Sequence, residues 1–310
     1  MNRFPRSTPL FLFALAVGAL AGGPVRACAQ RDVRTQIDTT LAFSKGGWVD
    51  LSLVSGEIVV TGWTRPEARV IARLDRDGGY LDASLTSGGI RIETRSRSRR
   101  LGEGRYELMV PIGTRVQATA VSGDIRITGT MGEVQAGTTS GKIEVLDAAD
   151  RIEIGTVSGD VHAERLKGRA RIHATNGDLE VNDVTGDLTA ETVNGEITLR
   201  SVKSSRVHAG TVSGEVTYVG TIDPAGTYEF NSHSGDVRLE IPSNAAATLD
   251  LQTFSGSITS RFPIALQPGE TARHGRRQEF TIGGGGARIT IETFSGDITL
   301  ERGARSGRED

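Results

Sequence analysis

Acidic side chains recur at a nearly fixed interval through the middle of this sequence. Neighbouring members of the series stand one 18-residue interval apart, or a small multiple or slight extension of it. Two carboxylates about 5 Å or 7 to 9 Å apart are what hydrolysis of a glycosidic bond requires, and clustered carboxylates also bind divalent cations weakly. The series consists of Asp124, Asp160, Asp178, Glu196, Glu215 and Asp236, with Lys142 where one further acid is expected.

The same acids are also explained without catalysis. They recur as one position of a repeat next to a turn, on the polar face of a strand, and no aromatic platform accompanies them. Like charges about 5 Å apart in water repel by only about 1 kcal/mol, so solvation accommodates such a column. His162, His173 and His208 lie at outward positions in different repeats and share no metal-ligand spacing. We therefore predict no catalytic residue, no metal site and no cofactor, with a carbohydrate-active β-helix enzyme that uses Asp160 or Asp178 as the alternative.

The elements that must position these side chains are nine-residue units. Every second unit opens with Ser or Asn followed by Gly, and these glycines keep an 18-residue period that lengthens slightly and then doubles toward the end of the chain. Glycine makes up 40 of 310 residues and aromatic residues only 5%, which indicates many short strands joined by tight turns. The predicted structural turn glycines are Gly123, Gly141, Gly159, Gly177, Gly195, Gly214, Gly235, Gly256 and Gly296.

Within each unit, counted from its first residue, alternation separates a buried face from a wet face. Positions 4 and 6 are apolar nearly throughout, as in Ile143 and Val145, whereas positions 3, 5 and 7 are mostly polar. Each unit is therefore a strand of about five residues and a turn of about four. Position 9 is often apolar as well, which suggests two or three buried aliphatic side chains per strand; examples are Val157, Leu166, Val184, Val193 and Val202.

Such a chain could be an antiparallel meander or a coil in which each strand pairs in parallel with its counterpart one coil later. The 18-residue alternation favours the coil, because it collects the Ser-Gly and Asn-Gly turns in one column. The predicted fold class is all-β: a single-chain, β-helix-like β-solenoid of about 18 to 21 residues per coil, with two short strands per coil and parallel stacking. A lone coil cannot fold, so the stack is stable only cooperatively.

The organisation along the chain follows from composition. Residues 1–29 read as a signal peptide, with two arginines before an apolar run and Ala27-Cys28-Ala29 at its end; a lipidated Cys28 is the alternative. Residues 30–113 form an irregular β segment that opens the stack, residues 114–300 the solenoid with an excursion at 261–287, and residues 301–310 a polar tail. We expect export to the periplasm, the cell surface or the medium, and no transmembrane segment in the mature chain.

Two basic clusters interrupt the regular pattern and form the candidate interaction surface. An anionic glycan or phosphate would suit them. A solvated charged loop is the favoured explanation of residues 95–100, because Glu93 and Glu103 flank them, and a cover for the strand edge explains residues 261–277 at least as well. Loops held by a rigid scaffold often carry function, so any specific activity is expected here rather than inside the repeat. The candidate residues are Arg95, Arg97, Arg99, Arg100, Arg273, His274, Arg276 and Arg277.

Residues 106–125, YELMVPIGTRVQATAVSGDI, combine a strand, a Pro-x-Gly turn and the first Ser-Gly-Asp-Ile. This stretch, together with the later Ser-Gly-Asp and Ser-Gly-Glu motifs, resembles the bacterial putative-adhesin family of β-strand-repeat domains, a domain of unknown function. The resemblance covers about residues 48–300. It implies surface attachment, without a ligand or binding residues that carry over.

The sequence therefore predicts a non-enzymatic, exported β-repeat protein that acts as an adhesin or as an envelope structural or interaction module. Its repeated surface would make many weak contacts with a glycan, a cell-envelope component or a surface protein. A periplasmic envelope-sensing module is a further alternative. The formal charge of −2, which becomes about −5 without the three arginines of the signal, gives no reason to expect nucleic-acid binding.

Overall fold

A computed structural model describes residues 32–75, 79–96, 102–262, 265–266 and 276–303. The described chain is built from β-strands, turns and bends. No helix in these ranges is long and apolar enough to cross a membrane.

The strands are as follows, in chain order: β1 (Asp32–Arg34), β2 (Gln36–Ala42), β3 (Trp48–Trp63), β4 (Glu67–Leu74), β5 (Gly79–Leu85), β6 (Gly89–Ser96), β7 (Gly104–Pro111), β8 (Arg115–Thr128), β9 (Val134–Ser140), β10 (Ile143–Ser158), β11 (Val161–Asn176), β12 (Leu179–Thr185), β13 (Leu188–Asn194), β14 (Ile197–Val202), β15 (Arg206–Ser213), β16 (Val216–Gly220), β17 (Thr227–Ser234), β18 (Val237–Pro242), β19 (Ala247–Ser255), β20 (Ile258–Ser260), β21 (Ala265–Leu266), β22 (Arg276–Ile282), β23 (Ala287–Ser295) and β24 (Ile298–Gly303).

The chain coils into a solenoid with parallel, in-register stacking. Ile143 pairs with Val161, and Val161 with Leu179, each partner lying one repeat of two nine-residue units further along the chain. Strands that lead into the Ser-Gly or Asn-Gly turn form one face, here called the upstream face, and strands that follow the turn form the downstream face. The predicted all-β solenoid with parallel stacking is confirmed, and the antiparallel meander is excluded for the repeat region.

The solenoid begins at β3, a continuous strand that runs through the corner at Gly56 and contributes to both faces. It pairs in parallel with β8, so that Gly56 lies beside Gly123. On its other side β3 pairs with β6 on one face and with β7 on the other. Antiparallel strands then extend each face outward, β5 and β1 beside β6, and β4 and β2 beside β7. These antiparallel strands cover the open edges of the first coil.

At the other end, the order of the coils in space differs from their order in the sequence. β23 pairs in parallel with both β17 and β19, and β24 pairs with both β18 and β20. The last coil of the chain is therefore inserted between the two coils that precede it. The turn glycines therefore do not follow sequence order along the stack at this end: their spatial order is Gly235, Gly296, Gly256. β22 pairs antiparallel with the outer edge of β19 and covers it.

The core lies between the two faces and consists mainly of aliphatic side chains. Every position 4 and position 6 residue from Ile125 to Leu199 is buried, as predicted. Position 9 divides into two classes: Leu166, Val184 and Val202 are buried, whereas Val157 and Val193 are exposed. The two kinds of nine-residue unit are thus not equivalent, because in the unit that leads into the glycine turn it is position 8, for example Thr156, that points inward.

The corner opposite the glycine column turns through residues in the left-handed region. Asp147, Arg165, Asp183 and Ser201 have φ between 51° and 56° and follow one another at 18-residue intervals. Arg165 donates two hydrogen bonds to Asp147 of the preceding coil, at 2.7 and 3.0 Å. This hydrogen bonding, aided by the positive charge, lowers the pKa of the Asp147 carboxyl. An ion pair therefore links two neighbouring coils at this corner.

Candidate interaction surface

The predicted turn glycines stand in one column along the solenoid. A Cβ atom built on Gly195 would lie 2.1 Å from the carbonyl oxygen of Gly177 in the preceding coil, and Gly195 has a φ of +151°. Both the close approach and the positive φ require glycine. These residues build the corner and present no side chain for chemistry.

Carboxylates of the acidic column beside the glycines accept hydrogen bonds from backbone N–H groups. Oδ1 of Asp178 accepts a hydrogen bond from the backbone N–H of Glu196 at 2.8 Å, and Oδ1 of Asp160 accepts one from Asp178 at 3.1 Å. Asp236 and Asp297 continue the pattern at the C-terminal coils. Each aspartate of the column thus satisfies a main-chain donor of the next coil in the stack, whereas Glu215 accepts a hydrogen bond from the hydroxyl of Thr217. The aspartates among the acids that suggested glycoside hydrolysis therefore have a structural contact that explains their repetition.

A second polar column, on the inner side of the same corner, was not anticipated from the sequence. The hydroxyl of Thr192 donates to the carbonyl oxygen of Gly177 at 3.2 Å, and Thr293 donates to Gly235 in the same way at 3.2 Å. The signal was present: Thr or Ser lies three residues before the glycine in most coils. It was missed because the frequent apolar residues at position 9 suggested that position as the third buried one, although alternation from positions 4 and 6 places position 8 on the buried face.

The two basic clusters are neutralised where the structure describes them. Arg95 pairs with Asp82 at 3.1 Å and with Glu93 at 2.9 Å; the hydrogen bond to Glu93, followed by the charge of Asp82, raises the pKa of the guanidinium. Arg277 donates two hydrogen bonds to Asp250, at 2.9 and 2.7 Å. Each of these arginines has acidic partners on a neighbouring strand of its own sheet, so neither presents an unpaired cation.

The other basic candidates cannot be placed in the same way. Of Arg276 the structure describes only the backbone, at the start of β22. The following residues lie outside the described ranges: Arg97, Arg99, Arg100, Arg273 and His274. Among the residues that the structure describes, no basic residue of the cluster at residues 95–100 is therefore brought beside one of the cluster at residues 261–277.

The outward histidines contact glutamates of neighbouring coils. His162 lies 3.2 Å from Glu180, and His208 lies between Glu191 and Glu229, 3.3 Å from each. Hydrogen bonds from Asn182 and then from His162 lower the pKa of Glu180. Among the described residues, no group of three or more His, Cys, Asp or Glu side chains could hold a metal ion.

A hollow of about 580 Å³ lies on the outer surface of the upstream face. Its floor is the main chain at Gly137 and Gly155, which occupy outward positions of two adjacent strands. A Cβ atom on Gly137 would have only one neighbour within 4 Å, the oxygen of Gly155 at 3.9 Å. The space above Gly137 is therefore open because no side chain fills it.

The imidazole of His173 forms one end of the hollow. A Cβ atom on Gly155 would lie 2.3 Å from Nε2 of His173, so the ring covers the main chain at that glycine. Side chains two residues away on the same strands, about 7 Å along the strand, form the two long sides. One side consists of Gln135, Glu153 and Arg171, and the other of Thr139, Val157 and Thr175.

The charges around the hollow are mixed. Glu153 accepts hydrogen bonds from Arg151 at 2.6 and 3.0 Å, and Arg171 stands beside Glu153 on the next strand. An amide, a guanidinium, an imidazole and the hydroxyls of several threonines thus line an uncharged floor. Glu153 is the one carboxylate among the described residues that line this hollow. The arrangement can donate and accept hydrogen bonds to a polar ligand, but it does not contain the pair of carboxylates that glycoside hydrolysis uses.

The family model described as Toastrack DUF4097 matches residues 116–301. Three solved structures are similar to 86% of this chain. A putative cell adhesion protein of Clostridium sporogenes is 9% identical over 100% of its own length, with a TM-score of 0.25. A putative adhesin of Bacteroides fragilis is 10% identical over 96% of its length (TM-score 0.39), and a putative lipid binding protein of Parabacteroides distasonis is 11% identical over 96% (TM-score 0.28). No curated protein matches the sequence.

Proposed function

The chain belongs to the Toastrack DUF4097 family, and we propose that it is an exported, non-enzymatic interaction module of the cell envelope that binds a glycan. The observation that carries the proposal is the hollow above Gly137, with a bare main-chain floor and donors and acceptors along its sides. A sugar ring has both apolar C–H groups and hydroxyls, and shallow sites with a few placed polar groups suit such ligands.

The solenoid supports this function through its rigidity. Parallel pairing fixes outward side chains of successive coils about 4.8 Å apart, so a long glycan would meet further polar side chains beyond the hollow. Glu153 and Arg171 on one side and Thr139 on the other would orient hydroxyl groups. Several weak contacts held by one rigid body add to a useful affinity without a deep pocket.

Glycoside hydrolysis in the hollow is disfavoured by the same geometry. The hollow has a single lining carboxylate among the described residues, and Asp160 and Asp178 each accept a hydrogen bond from main chain. Export rests on the apolar segment within residues 1–29 and its small-residue end. Fractionation of cells into periplasm, envelope and medium tests the location.

The binding experiment uses a glycan panel with retention and cleavage measured together. In Gly137→Val the new side chain fills the hollow, and retention should fall at least about tenfold, while Gly210→Val is the matched control. Gly210 is another outward glycine of the upstream face with open space around it, and it lies outside the hollow. Equal retention by both variants would show that the glycan does not bind in the hollow. Product formation that is lost in Asp160→Asn or Asp178→Asn would overturn the non-enzymatic function.

A further inference from the structure

Large apolar side chains that remain exposed in the described part of the chain concentrate on one line of the surface. Six of the ten occupy the position two residues before a turn glycine, and these six are between 41% and 59% exposed. We call the line in the last five coils the apolar ridge; in spatial order it consists of Val193, Val212, His233, Phe294 and Phe254. The same column continues toward the N-terminal coils through Thr175, Val157, Thr139 and Val121.

Three rings stack at the C-terminal end of the ridge. The centroids of His233 and Phe294 are 4.9 Å apart with an interplanar angle of 11°, and those of Phe294 and Phe254 are 4.8 Å apart with an angle of 6°. The sequence-based expectation that no aromatic platform accompanies the acidic column is wrong here. Because the inserted last coil places Phe294 between His233 and Phe254, the sequence order conceals the stack.

The stack is not arranged for binding sugar rings along the ridge. The facing surfaces of the three rings are already in contact with one another, so these surfaces are not open to a sugar ring. A sugar stacks on the face of an aromatic ring, whereas an apolar side chain packs against ring edges and against valine methyl groups equally well. The ridge therefore favours a partner that offers a line of aliphatic side chains.

Acidic residues flank the ridge on both sides. Glu191 and Glu292 lie two residues before Val193 and Phe294 on the upstream face, and Asp236 and Asp297 lie just beyond the turn. All four are exposed. A second copy of the chain, laid ridge against ridge, would bring these acids against acids, and such like-charge contacts are unfavourable. The flanks instead match a partner in which cationic side chains border an apolar stripe.

We propose that the apolar ridge binds a cationic amphipathic segment of another protein. The five coils span about 20 Å, which corresponds to about 13 residues of α-helix. In such a complex apolar residues of the segment cover Val212, Phe294 and Phe254, while lysines or arginines lie over the acids on each side. The ridge begins one coil beyond Thr175, which lines the hollow above Gly137. Its test uses different variants, so this inference stands or falls independently of glycan binding.

The test titrates the purified full chain with a model amphipathic helix of leucine and lysine, matched to the length of the ridge, by calorimetry. We expect saturable binding that weakens with added salt, because the flanking charges contribute. The double variant Phe254→Ser and Phe294→Ser should lose at least about tenfold in affinity. Ile112→Ser is the control, since Ile112 is 44% exposed but lies outside the ridge, and it should bind like the unchanged protein.

A second variant tests the charges without touching the rings. Asp236→Asn with Glu292→Gln keeps the acceptor oxygen that Asp236 offers to Asp297, so the fold is retained while affinity and salt dependence both fall. Equal binding of a leucine–serine peptide of the same length would overturn the role of the acids. Absence of binding to the leucine–lysine peptide, or an equal loss in Ile112→Ser, would overturn the proposal. Concentration-dependent dimerisation that the Phe254→Ser, Phe294→Ser variant abolishes would also overturn the proposal, because a second copy of the chain would then cover the ridge.

Discussion

The Cα atom of Gly141 packs against the carbonyl oxygen of Gly123 in the neighbouring coil. A Cβ atom built on Gly141 would lie only 2.2 Å from that oxygen, and Gly141 has a φ of +143°. The obstacle is the main chain of the neighbouring coil, and it cannot move away without breaking the parallel hydrogen-bond ladder. The glycine column is therefore a line along which the coils touch without any intervening side chain.

Gly141→Ala is accordingly expected to lower the free energy of unfolding by about 2–4 kcal/mol, because it combines an unfavourable φ with a clash against backbone. Urea unfolding followed by circular dichroism measures the change. Gly137→Ala is the matched control, since Gly137 lies in the same coil with open space at its Cβ position. That substitution should be neutral or stabilising by up to about 1 kcal/mol. Similar losses for the two alanines would contradict the close contact at the column.

Asp160 should tolerate Asn but not Ala. The amide oxygen of Asn can still accept the hydrogen bond from the backbone N–H of Asp178, which is 3.1 Å from Oδ1 of Asp160. Asp160→Ala leaves that donor to water and should cost about 0.5–1.5 kcal/mol. Ile143→Asp, which buries a charge at a fully buried core position, should cost several times more. Thermal melts of the three variants check this order, and a stable Ile143→Asp protein would reverse the assignment of inner and outer faces.

Two threonines at the same position of coils that are two repeats apart should respond differently to Val. Thr192 donates to the carbonyl oxygen of Gly177 at 3.2 Å, whereas the buried hydroxyl of Thr156 has no hydrogen-bond partner in the described structure. Thr192→Val should therefore cost about 1 kcal/mol, and Thr156→Val should be neutral or stabilising. The difference is read from urea midpoints. Equal destabilisation would show that Thr156 also has a partner.

The repeat itself was predictable because its physical cause is local. Glycine at an 18-residue period, with Ile143 and Val145 at alternating positions, suffices to specify a strand, a turn and a parallel coil. The resemblance to a bacterial putative-adhesin family, drawn from residues 106–125 and the later motifs, is confirmed by the family match over residues 116–301. Short-range pattern and family resemblance agree because both reflect the same coil.

The order of the last coils and the open hollow were not predictable in this way. The local sequence does not show whether Gly296 or Gly256 packs beside Gly235, because all three turns have the same Ser-Gly sequence. The hollow arises because Gly137 and Gly155 fall on adjacent strands, which becomes visible only once the register is known. The exposure of Val157 and Val193 likewise depends on the threonine that precedes each of them and points inward.

Stability should decline at high pH because of buried tyrosines. Burial raises the pKa of Tyr106 to about 12, and it also raises the pKa values of Tyr218 and Tyr228. An unfolded tyrosine ionises near pH 10, so above that pH the unfolded state binds fewer protons than the native state and the free energy of unfolding falls. The stability present below about pH 10 is lost as the pH rises toward about 12, by roughly 2–3 kcal/mol for Tyr106.

Urea unfolding at several pH values above 9 measures this decline. Tyr106→Phe should flatten it, although the variant starts less stable because the Tyr106 hydroxyl donates to the carbonyl oxygen of Ser52 at 3.2 Å. The comparison is therefore made between slopes against pH and not between absolute stabilities. An unchanged slope in Tyr106→Phe would mean that the Tyr106 phenol ionises near pH 10 in the native state, as it does in the unfolded chain.

The inserted last coil can be tested by cross-linking at the glycine corner. Ser234 is in register with Ser295, and Ser295 is in register with Ser255. Adjacent parallel strands place such residues about 5 Å apart, within the Cα separation that a disulfide accepts, whereas Ser234 and Ser255 would be about 10 Å apart, beyond its reach. If the coils followed sequence order, the pair within reach would instead be Ser234 and Ser255.

In a Cys28→Ser background, the double variant Ser234→Cys and Ser295→Cys should therefore form an intramolecular disulfide on mild oxidation, while Ser234→Cys with Ser255→Cys should keep two free thiols. Mass spectrometry after thiol alkylation distinguishes the two results. Both pairs are exposed serines of the same column, so that access of the oxidant is matched. The reverse outcome would show that the coils follow sequence order. Phe294 could then not contact both His233 and Phe254.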